Sequence, residues 1–176
     1  MTFFECNGYT EEEQELWDHA FERIDRALFT RKLEKAMDIF KETLDRSDPV
    51  KGAIPRHFKT LSILEKMYLL RNENPVVLYM CLAVCDSDLD NAANLFRALN
   101  KSVFEVLSKN GEFAESPFYM VTPTKKAIIL EQMGDLRGAL EVCETALRWK
   151  VWDSGKKSFQ NRIDSIKKKM KKEKAL

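Results

Sequence analysis

Apolar residues recur at steps of three and four along most of the chain, and this spacing predicts amphipathic helices. The first of these segments follows Thr10 and Glu13, which have the spacing of a capping box at a helix N-terminus. Pro55, Pro75 and Pro123 stand where further helices are expected to begin. No long stretch alternates between apolar and polar residues as a half-buried strand does. The pattern predicts an all-α fold of about eight helices stacked as antiparallel hairpins.

Three further details of the pattern make testable expectations about the helices. Thr122 precedes Pro123 and is expected to cap that helix, and Asp153 is expected to cap the last one. The segment 76–85 is apolar at almost every position, which predicts a helix buried on nearly all sides. After "DSD" the chain is expected to begin a new helix with "LDNAANLF", residues 89–96.

Small residues follow a helical spacing in "GDLRGALEVCETALRW", residues 134–149, where Ala139, Cys143 and Ala146 are four and three apart. A face of small side chains lets a second helix approach closely. The stretch "LRGALEVC", from Leu136, aligns with "LEKAMDIF", from Leu33, 103 positions earlier. In "LDNAANLF" the same small and aromatic places are taken by alanine and phenylalanine. The repeat-defining positions in these three copies are Ala36, Phe40, Ala92, Phe96, Ala139 and Cys143.

The last of these units resembles the tetratricopeptide repeat, whose period is about 34 residues. The resemblance assigns the small position of the first helix to Ala127 and the small positions of the second helix to Ala139 and Ala146. It assigns the turn to Gly134-Asp135-Leu136 and the aromatic position to Cys143. The chain departs from the pattern at Val151, which stands in the place of a proline. The tryptophan and tyrosine of the first repeat helix are also missing. The resemblance implies an α-solenoid of stacked hairpins closed by a C-terminal cap helix.

A chain of 176 residues is expected to form one domain over 1–176. Its predicted parts are a first hairpin at 10–48, irregular middle helices at 55–108, the hairpin that best matches the repeat at 122–152, and a cap helix with a basic tail at 153–172.

The net charge of +1 conceals an uneven distribution of charge. Nine of the 29 Lys and Arg residues lie from Lys156 onward, and only Asp164 and Glu173 oppose them there. This tail either keeps a cap helix soluble or contacts phosphates, and the sequence leaves both readings open. The candidate anion contacts are Lys167, Lys168, Lys169, Lys171 and Lys172.

The residue types that carry chemistry form no recognisable motif. Cys81 and Cys85 are four apart but have no histidine nearby in sequence, so packed thiols are expected rather than a metal site. His19 and His57, the two histidines, stand apart from any pattern of nucleophiles or paired carboxylates. We therefore expect no catalytic residue, no metal and no cofactor.

The N-terminal stretch has no basic region followed by an apolar core, and no segment is apolar enough to span a membrane. The expected location is cytoplasmic, with the cysteines reduced.

The resemblance implies a protein-binding adaptor or regulatory module with a concave helical groove for a protein or peptide. In the last hairpin it places Thr124, Ile128, Glu131 and Gln132 on that groove. Two alternatives remain open: a nucleic-acid-associated factor that uses the basic helix, and a small-ligand sensor or small helical enzyme. The partner and the oligomeric state are not predicted.

Overall fold

The computed structural model describes residues 8–99, 118–149, 151–152 and 158–173. Within these ranges the chain forms eight α-helices, which confirms the all-α prediction. The chain packs as two compact units, Met1–Ala114 and Glu115–Leu176, here called the first and second units. The expectation of one domain over 1–176 stays a prediction.

The helices of the first unit are α1 (Glu11–Phe29), α2 (Leu33–Arg46), α3 (Ala53–Leu69), α4 (Val76–Asp90) and α5 (92–99), with a 3-10 turn at Leu70–Asn72. The second unit contains α6 (Thr122–Gln132), α7 (Leu136–Arg148) and α8 (Phe159–Glu173). Two short strands also belong to it: β1 (Phe118–Tyr119) pairs in parallel with β2 (Val151–Trp152), and Phe118 lies opposite Val151.

Helix α1 is the centre of the first unit, because both α2 and α3 pack against it. Thr10 caps it as predicted, and its hydroxyl accepts a hydrogen bond from the Glu13 amide at 3.3 Å. Trp17 is fully buried and meets the Phe40 ring of α2 edge to face, with 6.2 Å between the ring centres. Burying two aromatic side chains in this arrangement contributes more than their area alone.

The Glu13 side chain hydrogen-bonds to the residues that follow α2 and so links the start of the first hairpin to its end. It accepts hydrogen bonds from the Ser47 hydroxyl at 2.6 Å and from the Asp48 amide at 2.8 Å, just past the end of α2. Ser47 in turn accepts a hydrogen bond from the Trp17 indole nitrogen at 3.0 Å. Hydrogen bonds to a charged acceptor are stronger than those between neutral groups, so this buried series of hydrogen bonds fixes the start of α1 to the end of α2. A side chain at Gly52 would overlap this carboxylate.

Helix α4 differs from its prediction in two ways. It continues through "DSD" to Asp90, so the next helix begins at 92 and Leu89 belongs to α4. Ala92 is buried, but Phe96 is only half-buried, unlike Phe40 at the matching place. The helix is also not buried on nearly all sides, because its Val76 and Tyr79 side chains are exposed.

In the second unit α7 lies between α6 and α8. The small positions predicted to allow close helix packing, Ala127, Ala139, Cys143 and Ala146, are all buried. The apolar face of α8 is buried as well, at Phe159, Ile163 and Ile166. Small side chains on α7 thus serve the purpose that their spacing predicted.

The turns of the two aligned hairpins have the same backbone geometry. After α6, Gly134 has a φ of 81°, the Asp135 amide bonds the Leu130 carbonyl, and the Gly134 amide bonds the Glu131 carbonyl. This is the Schellman arrangement that satisfies the last carbonyls of a helix. After α1, Arg31 has a φ of 59°, and the Lys32 and Arg31 amides bond the Ala27 and Leu28 carbonyls. The left-handed residues, Arg31 and Gly134, are aligned by the same offset as the helices.

The predicted cap at Thr122 needs revision. Thr122 is the first residue of α6 and is buried, and the cap position is taken by Val121, which makes no side-chain capping bond. Before α8, the Ser158 hydroxyl accepts a hydrogen bond from the Asn161 amide at 3.3 Å. Asp153 lies outside the described residues. At the turn between α6 and α7, Asp135 caps α7 by accepting from the Gly138 amide at 2.8 Å.

The helix that follows each hairpin packs on a different member of that hairpin in the two units. In the first unit α3 packs mainly on α1, the first helix of its hairpin. In the second unit α8 packs mainly on α7, the second helix of its hairpin. The solenoid implied by the resemblance stays a prediction.

Replacing Ala139 by leucine tests the close packing of α7. Ala139 has no exposed surface, so three further carbon atoms would force its neighbours apart and lower the free energy of unfolding by about 1–3 kcal/mol. Thermal denaturation followed by circular dichroism measures this change. Glu141→Leu, an exposed position on the same helix, serves as the control. An unchanged melting temperature for Ala139→Leu would show that α7 is not tightly packed there.

Candidate functional site

Helices α1 and α3 run side by side in the same direction. Lys59 and Lys66 of α3 bind Asp18 and Asp25 of α1, the second pair at 2.7 Å. Because later residues on one helix pair with later residues on the other, the two helices are parallel and end at the same side of the unit. The hydrogen bonds from Lys59 and Gln14 lower the pKa of Asp18.

A second ion pair brings the start of α4 to this same side. Arg31, in the turn between α1 and α2, donates from Nε to Glu73 at 2.7 Å and from Nη2 to its other carboxylate oxygen at 3.0 Å. Such a two-point contact fixes orientation as well as distance. Glu73 stands between the end of α3 and the start of α4. The ends of α1 and α3 and the start of α4 therefore meet at one end of the first unit.

Large apolar side chains are exposed at this end. Phe29, the last residue of α1, is 81% exposed, and Leu69, the last residue of α3, is 72% exposed. On α4, Val76 and Tyr79 are 52% and 66% exposed and lie three residues apart on one face. We call these four side chains the apolar end. Isolated exposed apolar residues are common, whereas several large ones at one end of a helical unit are typical of surfaces that bind other molecules.

The predicted groove residues of α6 have different environments. Thr124 is buried, Ile128 is half-buried and Gln132 is exposed. The Glu131 carboxylate accepts hydrogen bonds from Arg162 at 3.2 Å and from Lys169 at 2.6 Å, both on α8. Two of the four side chains are thus engaged in the packing of the second unit, and the assignment of the groove stays a prediction.

Glu131 holds the last helix in place. Its side chain and that of Arg162 are only 15% and 14% exposed, so their ion pair is shielded from water. Arg162 and Lys169 are two turns apart on α8, and one carboxylate binds both. The sequence signal for this contact was weak, because a glutamate on a helix surface is usually solvated.

Replacing Glu131 by glutamine should loosen α8. The change leaves two cations with a neutral partner, and we expect the free energy of unfolding to fall by about 1–3 kcal/mol. Thermal denaturation measures the change, with Glu141→Gln at an exposed place on α7 as the matched control. Equal melting temperatures for the two variants would contradict a role of Glu131 in holding α8.

The candidate anion contacts of α8 divide into two groups. Lys169 binds Glu131, and Lys167 lies 3.5 Å from Glu144. Lys168, Lys171 and Lys172 are exposed and share one side of the helix at spacings of three and four. That side is opposite the buried apolar face.

Deleting residues 171–176 should leave the melting temperature and the helical content nearly unchanged. The buried apolar contacts of α8 end at Ile166, and Lys171 and Lys172 are exposed. Terminal residues with few buried contacts contribute little to stability. Circular dichroism of the shortened chain measures both quantities. A melting temperature lower by several degrees would show that the last turn of α8 supports the second unit.

The sequence did not reveal a buried contact between a histidine and an aspartate. His57 of α3 and Asp88 of α4 are both buried, and the imidazole Nδ1 lies 2.9 Å from one carboxylate oxygen. Next to them, Arg56 donates to the Ser87 carbonyl and hydroxyl at 3.0 and 3.2 Å, and burial lowers its pKa. The His57–Asp88 and Arg56–Ser87 contacts join α3 to α4. Their residues are 31 positions apart, so no local motif announces them.

The buried cysteines are chemically protected. Burial raises the pKa of the Cys81 thiol to about 12, which keeps it protonated and unreactive near neutral pH. Cys81, Cys85 and Cys143 are buried and form no disulfide. Among the described residues no group of three or more His, Cys, Asp or Glu side chains is arranged to hold a metal ion.

A cleft of about 390 Å³ lies between α1 and α2. It is lined by the apolar Leu16 and Ala20, by His19 and Thr43, and by charged side chains of both signs: Glu12, Glu15, Arg23 and Arg46. Arg23 and Arg46 lie 3.8 and 3.7 Å from the same residue, Glu42.

None of the described helices is long and apolar enough to cross a membrane. No family model, no curated protein and no solved structure matches this chain. The tetratricopeptide resemblance therefore stays a prediction.

Proposed function

We propose that this protein is a non-enzymatic protein-binding adaptor module and that its partner docks on the apolar end of the first unit. The observation that carries the proposal is the exposure of Phe29, Leu69, Val76 and Tyr79 at one end of packed helices. Aromatic and large aliphatic side chains are frequent anchors of protein interfaces. Leaving them in water has a cost in solubility that a partner would remove.

The surroundings of the apolar end support recognition by a preformed surface. The Arg31–Glu73 contact and the Asp25–Lys66 pair connect the helices that carry these side chains. A surface held by packed helices loses little conformational freedom on binding. The tetratricopeptide-like hairpins are part of the proposal, and the shared turn geometry at Arg31 and Gly134 supports them. We further propose a cytoplasmic location, which suits three buried cysteines that form no disulfide.

Polar substitutions at the apolar end should weaken partner binding. We expect Leu69→Ser combined with Tyr79→Ser to reduce capture of the partner from native cells at least tenfold, because both side chains are exposed and would be buried by a partner. Affinity capture on the immobilised full chain with quantitative mass spectrometry measures this loss.

Val50→Ser is the control, because Val50 is 54% exposed in the connection between α2 and α3, remote from the apolar end. Equal capture by the double variant and the unaltered chain would contradict docking at the apolar end. Circular dichroism of each variant ensures that folding is unchanged.

A second candidate function is nucleic-acid binding through α8. The exposure of Lys168, Lys171 and Lys172 on one side of the helix favours it. Aromatic side chains for base stacking are missing from the described part of that helix after Phe159, so the contact would be to phosphates. Salt-dependent binding to duplex DNA that is lost with residues 171–176 would favour this candidate.

A further inference from the structure

The apolar end is surrounded by more cations than carboxylates. In the stretches 25–35 and 65–76, which form this end of the unit, six basic residues stand against four acidic ones. The basic residues are Arg26, Arg31, Lys32, Lys35, Lys66 and Arg71, and the acidic residues are Asp25, Glu34, Glu65 and Glu73.

Two of these cations are neutralised within the unit. Arg31 binds Glu73, and Lys66 binds Asp25 at 2.7 Å. Within the described stretches of this end, four cations, Arg26, Lys32, Lys35 and Arg71, then remain against the carboxylates of Glu34 and Glu65. The Arg71 guanidinium lies 4.1 Å from the centre of the Tyr68 ring and donates to the Tyr68 carbonyl at 2.8 Å. Its charge is therefore held in a fixed place beside the end of α3.

The stability of α2 does not explain these cations. Lys32 is the cap residue of α2 and Lys35 lies in its first turn, where the helix dipole favours negative charge. Arg31, directly before them, has a left-handed backbone that is unfavourable for a residue with a side chain. Departures from local preference are concentrated at functional sites in natural proteins. Here they are adjacent in sequence and lie at the apolar end.

We infer that the apolar end binds a protein segment in which large apolar side chains are flanked by Asp and Glu residues. The inference rests on the proposed function and names the chemistry of its partner. Apolar anchors would cover Phe29, Leu69 and Tyr79, and the flanking carboxylates would meet the four cations. Val76 and Tyr79 lie one turn apart on α4, and a helix or an extended segment that runs along α4 can match this spacing.

Selection from a random library of displayed 12-residue peptides on the immobilised full chain tests the inference. We expect the enriched peptides to combine aromatic or aliphatic residues with Asp and Glu. A synthetic copy of an enriched peptide should lose at least tenfold in affinity on Lys32→Glu with Lys35→Glu. These changes should not weaken α2, because carboxylates suit a helix N-terminus.

Lys41→Glu with Lys51→Glu is the matched control, with the same change of charge at exposed positions away from the apolar end. The inference is overturned if the control variant loses as much affinity, or if the enriched peptides lack an excess of acidic residues. Binding to phosphatidylserine vesicles that competes with the peptide would also overturn it, in favour of a membrane surface.

The same experiment separates this inference from the proposed function. One result is that the selected peptides bind without an excess of acidic residues and lose their affinity on Leu69→Ser with Tyr79→Ser. This result would support the docking surface and refute only the inferred chemistry of the partner. Peptides that bind equally to that double variant would refute the apolar end as the docking surface and the partner inference with it.

Discussion

Both aligned hairpins of this protein depend on one residue with a left-handed backbone directly after the first helix. The residue reverses the chain while its neighbours' amides satisfy the last carbonyls of the helix. Gly134 adopts this conformation without cost, and a side chain there would have open space around it. Arg31 adopts it against the preference of an L-residue, and its side chain then reaches Glu73. The same turn is thus only a connection in one hairpin, whereas in the other it also anchors the start of α4.

The first hairpin is closed at its other end by the buried hydrogen bonds of Glu13, Ser47 and Trp17. With both ends fixed, α1 presents one face to α2 and another to α3. The second hairpin has Cys143 at the place of Phe40, and its third helix packs on α7 instead of on the first helix of the hairpin. Hairpins of similar sequence pattern therefore display different surfaces.

This difference bears on function. In the second unit Glu131 and Thr124, which the repeat pattern assigns to a groove, take part in internal packing. In the first unit the parallel arrangement of α1 and α3 brings two helix ends and the start of α4 together, and their apolar residues remain exposed. The apolar end, and not the predicted groove, is therefore our proposed docking surface, and the predicted class of function, a protein-binding module, stays a proposal.

The sequence by itself determined the helical class, the start of α1 and the burial of the small residues of α7, because these follow from local periodicity and steric size. Ala139 and Cys143 are buried as their spacing predicted, and Gly134 could be read as a turn since glycine favours that backbone. Only the tertiary structure decided which carboxylate pairs with which cation. It also decided that Val76 and Tyr79, in a nearly all-apolar helix, face solvent. His57–Asp88 and Arg31–Glu73 join residues 31 and 42 positions apart. Such contacts depend on which helix faces pack together, and periodicity within one helix carries no information about its neighbour.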